Sequence, residues 1–115
     1  MKVGIDVLKT DRVKTETKFL ESFLNESEIE YVKKFANPKE RIAGLFCAKE
    51  AVFKALCQSV FSPHNITIFH DEIGRPKVCL SGNYLEHFNN KFKSIDISIS
   101  HDKTIATAIC IIDEK

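Results

Sequence analysis

The chain alternates apolar and polar positions in several short stretches, and this pattern predicts five strands. The predicted strands, rich in β-branched and apolar residues, are Lys2 to Leu8, Ile66 to Phe69, Lys77 to Leu80, Ile95 to Ile99 and Thr104 to Ile112. The first is interrupted by Gly4 and Asp6, and it is predicted to be a buried strand that carries one carboxylate. The polar runs Asp71 to Gly74 and His101 to Lys103 predict turns that connect strands.

Helical spacing of apolar residues is clearest in the middle of the chain. Proline suits the first position of a helix and disfavours helical geometry in the residue before it, so Asn37 and Pro38 predict a break followed by a new helix. That helix is predicted to run from Pro38 to about Ser59, and it is expected to be buried because it is apolar nearly all round. Shorter helices are predicted to start near Thr10, to start with Ser27 as the cap and Glu30 three residues on, and to cover Tyr84 to Phe92.

The order of these elements predicts the fold class. Helices precede most of the strands, which is typical of an α+β fold with helices packed on a mainly antiparallel sheet. The chain has 115 residues and neither an internal repeat nor a linker, so it is expected to form a single domain over residues 1–115.

Composition and charge exclude several classes of function. The 17 basic and 16 acidic residues leave a net charge of +1, without the basic excess of a dedicated nucleic-acid-binding protein. No stretch approaches the roughly 20 apolar residues that span a membrane, and no signal peptide precedes the first strand, so a cytoplasmic protein is expected. The four cysteines lack the C-x-x-C spacing of a zinc site or a redox dithiol, and they are expected to be reduced core residues.

Two carboxylates in apolar surroundings are the first candidates for chemistry. Asp6 interrupts the first strand, and Glu50 lies in the long apolar helix one turn before Lys54. A buried carboxylate is costly unless it is paired, hydrogen-bonded or bound to a cation. The two can be explained separately, as a strand-end carboxylate bonded to backbone and a Glu–Lys helix pair, or together, as ligands of one cation. Magnesium suits the second explanation, because it is typically held by one or two carboxylates together with substrate phosphates.

The strand Ile95 to Ile99 and the turn after it offer a second group of polar residues. Strict alternation puts the isoleucines on one face and Asp96, Ser98 and Ser100 on the other. His101 follows at the start of the turn. A histidine at a strand end can bind phosphate or transfer protons near neutral pH, and it can equally cap a loop or face water.

Three segments of the chain together resemble the phosphopantetheinyl transferases of the carrier-protein synthase type. They are Val3 to Val7, Phe46 to Leu56 with its K-E-A-x-x-K-A motif, and Ile97 to Asp102. They follow one another in the family's order and spacing, and further similarity extends over nearly the whole chain, at Phe23 to Ile29, Arg41 to Gly44 and Asp71 to Val78. The resemblance implies the fold of that family. It also implies an enzyme that moves the phosphopantetheine arm of coenzyme A onto a serine of an apo acyl carrier protein.

The resemblance also implies roles for particular residues. Asp6 and Glu50 would bind a magnesium ion, and Lys54 would be the third catalytic residue, beside the coenzyme A phosphates. The proton of the carrier serine would pass to Glu50 or to a metal-bound water, and the sequence does not choose between them. The remaining contacts implied are those of Ser100, His101 and Arg41 with coenzyme A, and those of Arg12 and Phe19 with the carrier protein.

Two departures from the family leave an alternative function open. Many relatives follow the long helix with a Gly-Thr-Gly turn near the phosphates, where this chain has Cys57-Gln58-Ser59, and Leu45 stands where many have arginine. The alternative is a non-catalytic module that binds coenzyme A or a carrier protein. Relatives of this size generally assemble as homotrimers with the site between subunits, so a homotrimer is expected here, with neither nucleic acid nor membrane as a partner.

Overall fold

The computed structural model describes residues 1–115 as five strands and four α-helices. In chain order the elements are β1 (Lys2–Lys9), α1 (Thr17–Glu21), α2 (Glu26–Lys33), α3 (Lys39–Leu56), β2 (Ile66–His70), β3 (Pro76–Leu80), α4 (Gly82–Lys91), β4 (Phe92–His101) and β5 (Ile105–Glu114). Two short 3-10 turns, Thr10–Arg12 and Pro63–Asn65, precede α1 and β2. The predicted α+β fold with antiparallel strands is confirmed.

The larger sheet has the strand order β1–β5–β4 and is antiparallel throughout, and β2 and β3 form a separate hairpin. The register of the larger sheet defines two faces. On the inner face, which α3 covers, Asp6 lies beside Ala108 of β5, and Ala108 lies beside Ile99 of β4. On the outer face, Ile5 lies beside Ile109. The register therefore directs Asp6 toward α3 and its neighbour Ile5 away from it.

Close packing of β1 against α3 depends on the glycine of the first strand. A Cβ atom at Gly4 would lie 1.9 Å from the backbone oxygen of Ala51 and 2.8 Å from the backbone nitrogen of Ala55. No side chain fits at those distances, so only glycine permits this approach. Because Asp6 lies two residues along the same face of β1, the close packing brings its carboxylate next to α3.

β1 is not the buried strand that its apolar sequence predicts. Val3, Ile5 and Val7 are 54%, 60% and 59% exposed, because β1 is an edge strand and only its inner face meets α3. Gly4 is its one buried residue. A continuous apolar run is typical of a strand that is buried on both faces. In the single chain, however, the outward-facing side chains of β1 are exposed.

The first two helices begin later or elsewhere than predicted. Thr10–Arg12 forms only a 3-10 turn, and the helix predicted there begins at Thr17. The cap of α2 is Asn25 rather than Ser27, and its backbone N–H donates to Glu28 Oε1 at 2.7 Å. The sequence contains two overlapping capping patterns, so the pattern alone does not distinguish them.

The long helix follows its prediction closely and is buried nearly all round. It starts directly after Pro38 and ends at Leu56, three residues earlier than predicted, because Cys57 adopts the left-handed conformation (φ 57°, ψ 40°). A left-handed residue is a common way for a helix to end. None of the helices combines the length and the apolar character that crossing a membrane requires.

The four cysteines are free thiols, and only two of them are core residues. Cys47 and Cys110 are buried, as predicted, whereas Cys57 and Cys79 are exposed. Cys47 belongs to α3, and Cys110 lies on the inner face of β5 beside Gly4. Burial of a cysteine here follows the face of the element that carries it, and residue type alone does not predict it.

Candidate active site

Asp6, Glu50 and Lys54 lie together where β1 meets α3. Lys54 Nζ donates a hydrogen bond of 3.2 Å to Asp6 Oδ1 and one of 2.9 Å to the carbonyl oxygen of Ile5. Glu50 forms no ion pair, although Lys54 is one turn away on the same helix. The helix pair between Glu50 and Lys54, one of the two separate explanations, is therefore not formed. The carboxylate of Asp6 accepts its hydrogen bond from the Lys54 side chain and not from backbone, as the other separate explanation expected.

The two carboxylates share one electrostatic environment. Burial raises the pKa of Glu50, the negative charge of Asp6 raises it further, and the charge of Lys54 opposes both effects. A negative charge that raises the pKa of a neighbouring carboxyl favours any cation that reduces the repulsion between the two. Because Lys54 is the only cation bonded to the pair, the three side chains together keep a net negative charge when ionised.

Cys47 lies beside these carboxylates but is chemically inert. Burial raises the pKa of its thiol to about 12, and the charges of Asp6 and Glu50 act in the same direction. Its Sγ donates to the carbonyl oxygen of Ala106 at 3.6 Å. The thiol therefore stays protonated near neutral pH, where it serves neither as a nucleophile nor as a metal ligand.

The oxygen donors of Asp6 and Glu50 suit a hard divalent cation that keeps several of its waters. No three histidine, cysteine, aspartate or glutamate side chains come together as a metal cage. Transition metals such as zinc are usually held by such a cage of nitrogen and sulfur ligands. Two carboxylates without a cage match instead an ion whose remaining positions are filled by water and substrate phosphates.

A cleft of about 180 Å³ opens beside the first half of α3, and it contains two of the residues predicted to contact coenzyme A. These are Arg41 of α3 and His101 at the end of β4. His101 Nδ1 is 2.8 Å from Glu40 Oε1, and the guanidinium carbon of Arg41 lies 3.7 Å from the centroid of the Phe35 ring. A guanidinium and a histidine at one cleft suit an anionic ligand.

Further side chains of this cleft were not identified from the sequence. Tyr31 and His70 line it as a stacked pair, with ring centroids 4.2 Å apart and ring planes 13° apart. Burial lowers the pKa of His70, with Asp71 opposing, and this favours a neutral ring near pH 7. Gly74 and Pro76 from the hairpin add to the lining. The residues come from separate elements, so no local sequence pattern connects them.

Ser100 does not join His101 in the cleft. Ser100 is exposed on the outer face of β4 beside Thr107, whereas His101 lies on the inner face beside Ala106. The alternation predicted for β4 is confirmed, and it is the alternation that separates the two residues. The role of Ser100 toward coenzyme A stays a prediction.

The predicted carrier contacts lie on the first helical segments. Arg12 is exposed at the end of its 3-10 turn, and Phe19 is half-buried in α1. Phe19 begins a line of packed rings, called here the aromatic row, whose members in order are Phe19, Phe23, Phe46, Phe61 and Phe53. Neighbouring ring centroids in the row are 5.1 to 6.5 Å apart. The row connects α1 with the face of α3 that carries Glu50, because positions 46, 50 and 53 lie on one side of a helix.

A buried ion pair next to Glu50 also escaped the sequence analysis. Lys49 and Glu28 are both fully buried, and Lys49 Nζ donates to Glu28 Oε1 at 2.7 Å. The same ammonium donates to the carbonyl oxygens of Phe23 at 2.8 Å and Pro63 at 3.0 Å. Burial lowers the pKa of Lys49, and the charge of Glu28 opposes this. A lysine inside an apolar helix was the available signal, but the partner is distant in sequence.

Comparisons with known proteins find relatives that match nearly the whole chain. The sequence matches the 4'-phosphopantetheinyl transferase superfamily over residues 2–110. A holo-[acyl-carrier-protein] synthase of Caldanaerobacter subterraneus subsp. tengcongensis is 37% identical over 116 residues, which cover 95% of this chain and 91% of the relative. One from Clostridium botulinum Eklund 17B is 38% identical over 117 residues, which cover 96% of this chain and 95% of the relative.

Two solved structures extend the likeness to the fold. The Helicobacter pylori holo-[acyl-carrier-protein] synthase in complex with coenzyme A superposes with a TM-score of 0.82 at 34% identity, covering 96% of this chain and 99% of that one. A Bacillus anthracis holo-(acyl-carrier-protein) synthase in complex with CoA (3',5'-ADP) gives a TM-score of 0.80 at 30% identity, covering 99% and 96%. The likeness therefore extends over nearly the full length of both chains.

Proposed function

Because the chain belongs to the 4'-phosphopantetheinyl transferase superfamily, we propose that it transfers the phosphopantetheine arm of coenzyme A to a serine of an apo acyl carrier protein. The serine oxygen attacks the coenzyme A phosphorus that bears the pantetheine arm. The bond from that phosphorus to the second phosphate breaks, and adenosine bisphosphate leaves. The main structural support for this proposal is the pair of carboxylates Asp6 and Glu50, in which the charge of Asp6 raises the pKa of Glu50. Lys54 is bonded to Asp6, and no cation is bonded to Glu50.

We assign magnesium to Asp6 and Glu50. Bound there, the ion supplies positive charge that stabilises the transferring phosphate and orients the diphosphate. The support for this assignment is the oxygen donor set, the net negative charge of the site and the repulsion that raises the pKa of Glu50. Gly4 contributes by allowing the strand to carry Asp6 close to the helix.

Lys54 and Glu50 have further roles in the proposed reaction. The Lys54 side chain is 49% exposed and that of Asp6 only 18%, so the ammonium can be reached by an anionic ligand while the carboxylate stays sheltered. We assign Lys54 to the phosphates of coenzyme A, where it adds a fixed positive charge. Glu50 is a protein group available to accept the serine proton, and its raised pKa makes it a better base than an ordinary carboxylate.

The nucleotide part of coenzyme A is assigned to the cleft with Arg41 and His101. Arginine and histidine suit its phosphates, and the Tyr31–His70 stack offers a flat surface to its base. The cleft measures about 180 Å³, less than the roughly 300 Å³ at which ligand pockets usually begin. A second surface is therefore needed to enclose the cofactor.

A second copy of the chain can supply that surface. The outer face of the large sheet carries an exposed apolar group, called here the outer patch, whose members are Val3, Ile5, Val7, Ile105, Ile109 and Ile111. Each of these side chains is at least 36% exposed. Contiguous apolar surface of this kind usually marks an interface. We propose that the outer patch joins subunits, as a homotrimer, with Ser100 on the same face brought near a neighbouring cleft.

The carrier protein is assigned to the surface around Arg12 and Phe19. Acyl carrier proteins of this kind are acidic, so an exposed arginine steers their approach. Phe19 connects this surface to the aromatic row and through it to the helix face of Glu50. A cytoplasmic location for the reaction stays a prediction.

A non-catalytic binding module of the same fold is the second candidate. Leu45 is buried at the cleft and offers no charge where many relatives have arginine. The segment Cys57-Gln58-Ser59 replaces their glycine turn. Both features favour weaker phosphate binding, yet Asp6 and Glu50 are both present, and a carboxylate with a raised pKa is a base that a module which only binds does not need.

The mass of a carrier protein separates the two functions. Apo acyl carrier protein is incubated with the purified chain, coenzyme A and magnesium, and then measured by mass spectrometry. We expect the carrier to gain the mass of one phosphopantetheine group, and Glu50→Gln to prevent the gain while keeping the wild-type circular dichroism spectrum. Binding of coenzyme A without any gain in carrier mass would favour the module.

A further inference from the structure

The six residues after α3, Cys57 to Ser62, form a segment without helix or strand, called here the post-helix segment. It leaves the helix one turn after Lys54. Cys57, its first residue, lies on the same side of the helix as Glu50 because seven residues make nearly two turns. The segment therefore begins on the Glu50 side of α3, one turn beyond Lys54, the residue assigned to the phosphates of coenzyme A.

Contacts from α4 hold this irregular segment in place. The hydroxyl of Tyr84 accepts a hydrogen bond of 2.8 Å from the backbone N–H of Ser62 and donates one to the carbonyl oxygen of Val60. His87 Nε2, one turn further along α4, is 3.1 Å from the carbonyl oxygen of Leu56. Tyr84 is 4% exposed, so its two hydrogen bonds are sheltered from water.

Aromatic packing fixes the same segment from the side of the site. The ring of Phe61 lies 5.1 Å from that of Phe53 and 6.5 Å from that of Phe46, and both partners flank Glu50 on α3. Burial raises the pKa of Tyr84, the hydrogen bond from the backbone N–H of Ser62 opposes this rise, and the charge of Glu50 adds to it.

We propose that Tyr84 is a positioning residue for the transfer reaction, which holds the post-helix segment in the conformation that borders bound coenzyme A. This inference rests on the proposed function and deepens it. Any position of this irregular chain that is loose in the free protein must be ordered when the ligand binds, and that ordering costs conformational entropy. Tyr84 orders the segment in advance, so coenzyme A binds without that cost.

Tyr84→Phe tests the proposal because it removes the hydroxyl and keeps the ring. We expect the KM for coenzyme A to rise about fivefold, a modest change because the hydroxyl acts through the segment and not on the ligand, with kcat within about twofold of wild type. Hydrogen exchange of the amides of residues 58–62 should become faster and be slowed again by coenzyme A. The matched control is Ile112→Val, which loses stability in the buried end of β5 and leaves the segment untouched.

Phe61→Leu releases the same segment by a second route, through its ring contacts and not through Tyr84. We expect it to raise the same KM and to speed exchange of the same amides. If both variants lower the melting temperature like Ile112→Val but keep the wild-type KM, Tyr84 is merely structural and the proposal is wrong.

Coenzyme A affinity measured by calorimetry distinguishes failure of this proposal from failure of the proposed function. If the wild type transfers no arm but binds coenzyme A, a dissociation constant about fivefold higher in Tyr84→Phe still supports the positioning role. If the wild type transfers normally and the variant matches the control, the function stands and the positioning role fails. If the wild type neither transfers nor binds, both are overturned.

Discussion

At the scale of single residues, the site depends on two carboxylates that lie in apolar stretches of the sequence. Asp6 and Glu50 were recognised from the sequence because carboxylates in apolar runs need an explanation. The role of Gly4 was not recognised from the sequence. A side chain at this position is excluded by backbone atoms of α3, which lie far away in sequence. A single strand gives no sign of how closely a helix will approach it.

Stability near the site should depend on pH through Glu50. Its pKa is raised in the folded chain, so the ionised form costs stability, and the cost is present above the raised pKa and disappears as pH falls through it. Glu50→Gln is therefore expected to melt at a higher temperature than wild type at pH 7, with the difference shrinking toward acid. Melting curves across pH, with exposed Glu72→Gln as the control, check this. An equal difference at every pH would contradict it.

Cys57 should be replaceable by glycine with a gain in stability. The residue has φ 57°, which disfavours a side chain with a Cβ atom and suits glycine. Cys57→Gly is expected to stabilise the fold by about 1 kcal/mol, whereas the same change at exposed Cys79 in β3 is expected to destabilise it by about 0.5–1 kcal/mol. Urea unfolding of both variants measures whether each substitution raises or lowers the free energy of unfolding. Equal effects at the two positions would mean that backbone conformation is not the cause.

At the scale of elements, the sequence predicted best those helices and strands that can be identified from the residue pattern within a single element. The long helix and the alternation of β4 follow from local periodicity, and both are confirmed. The start of α2 was misplaced because Asn25 and Ser27 open overlapping capping patterns. The Lys49–Glu28 pair was missed for the opposite reason, since it joins α3 to α2 across the core and has no local signature.

The contribution of the buried Lys49–Glu28 pair to stability can be measured by comparing a single variant with a double variant. Lys49→Met removes the cation paired with Glu28 and leaves a buried carboxylate without an ion-pair partner, so we expect a loss of roughly 3–5 kcal/mol in the free energy of unfolding. Adding Glu28→Gln removes that charge while keeping an acceptor for the backbone N–H of Ile68, so part of the stability should return. Denaturant unfolding of the single and double variants measures both steps. A double variant less stable than Lys49→Met would contradict the role of charge.

At the scale of the whole molecule, the positions of β1 and α3 place Asp6 near enough for its charge to raise the pKa of Glu50. That the two carboxylates share one cation stays a prediction. The cleft could not be predicted, because Tyr31, His70 and His101 come from α2, β2 and β4 and meet only in the folded chain. The part of the outer patch that β1 supplies was predicted to be buried, because an apolar strand has the same sequence whether its second face meets a helix or another subunit.

Assembly should depend on the outer patch. Ile109 lies at its centre, beside Ile5, and a lysine there would place a charge in the proposed interface. Ile109→Lys is expected to convert trimers to monomers and to weaken coenzyme A binding, since the cleft is too small to enclose the cofactor alone. Sedimentation velocity and calorimetry measure the two effects, with Ile73→Lys on the exposed hairpin turn as the control. Unchanged trimers in Ile109→Lys would exclude this face as the interface.

The most direct test of the site is a calorimetric titration of magnesium into the protein saturated with coenzyme A. We expect the wild type to bind one ion per chain, and Asp6→Asn and Glu50→Gln each to bind it much more weakly, because each variant removes one of the two carboxylates that hold the ion together with the phosphates. Magnesium binding of wild-type strength in both variants would contradict a shared site at Asp6 and Glu50.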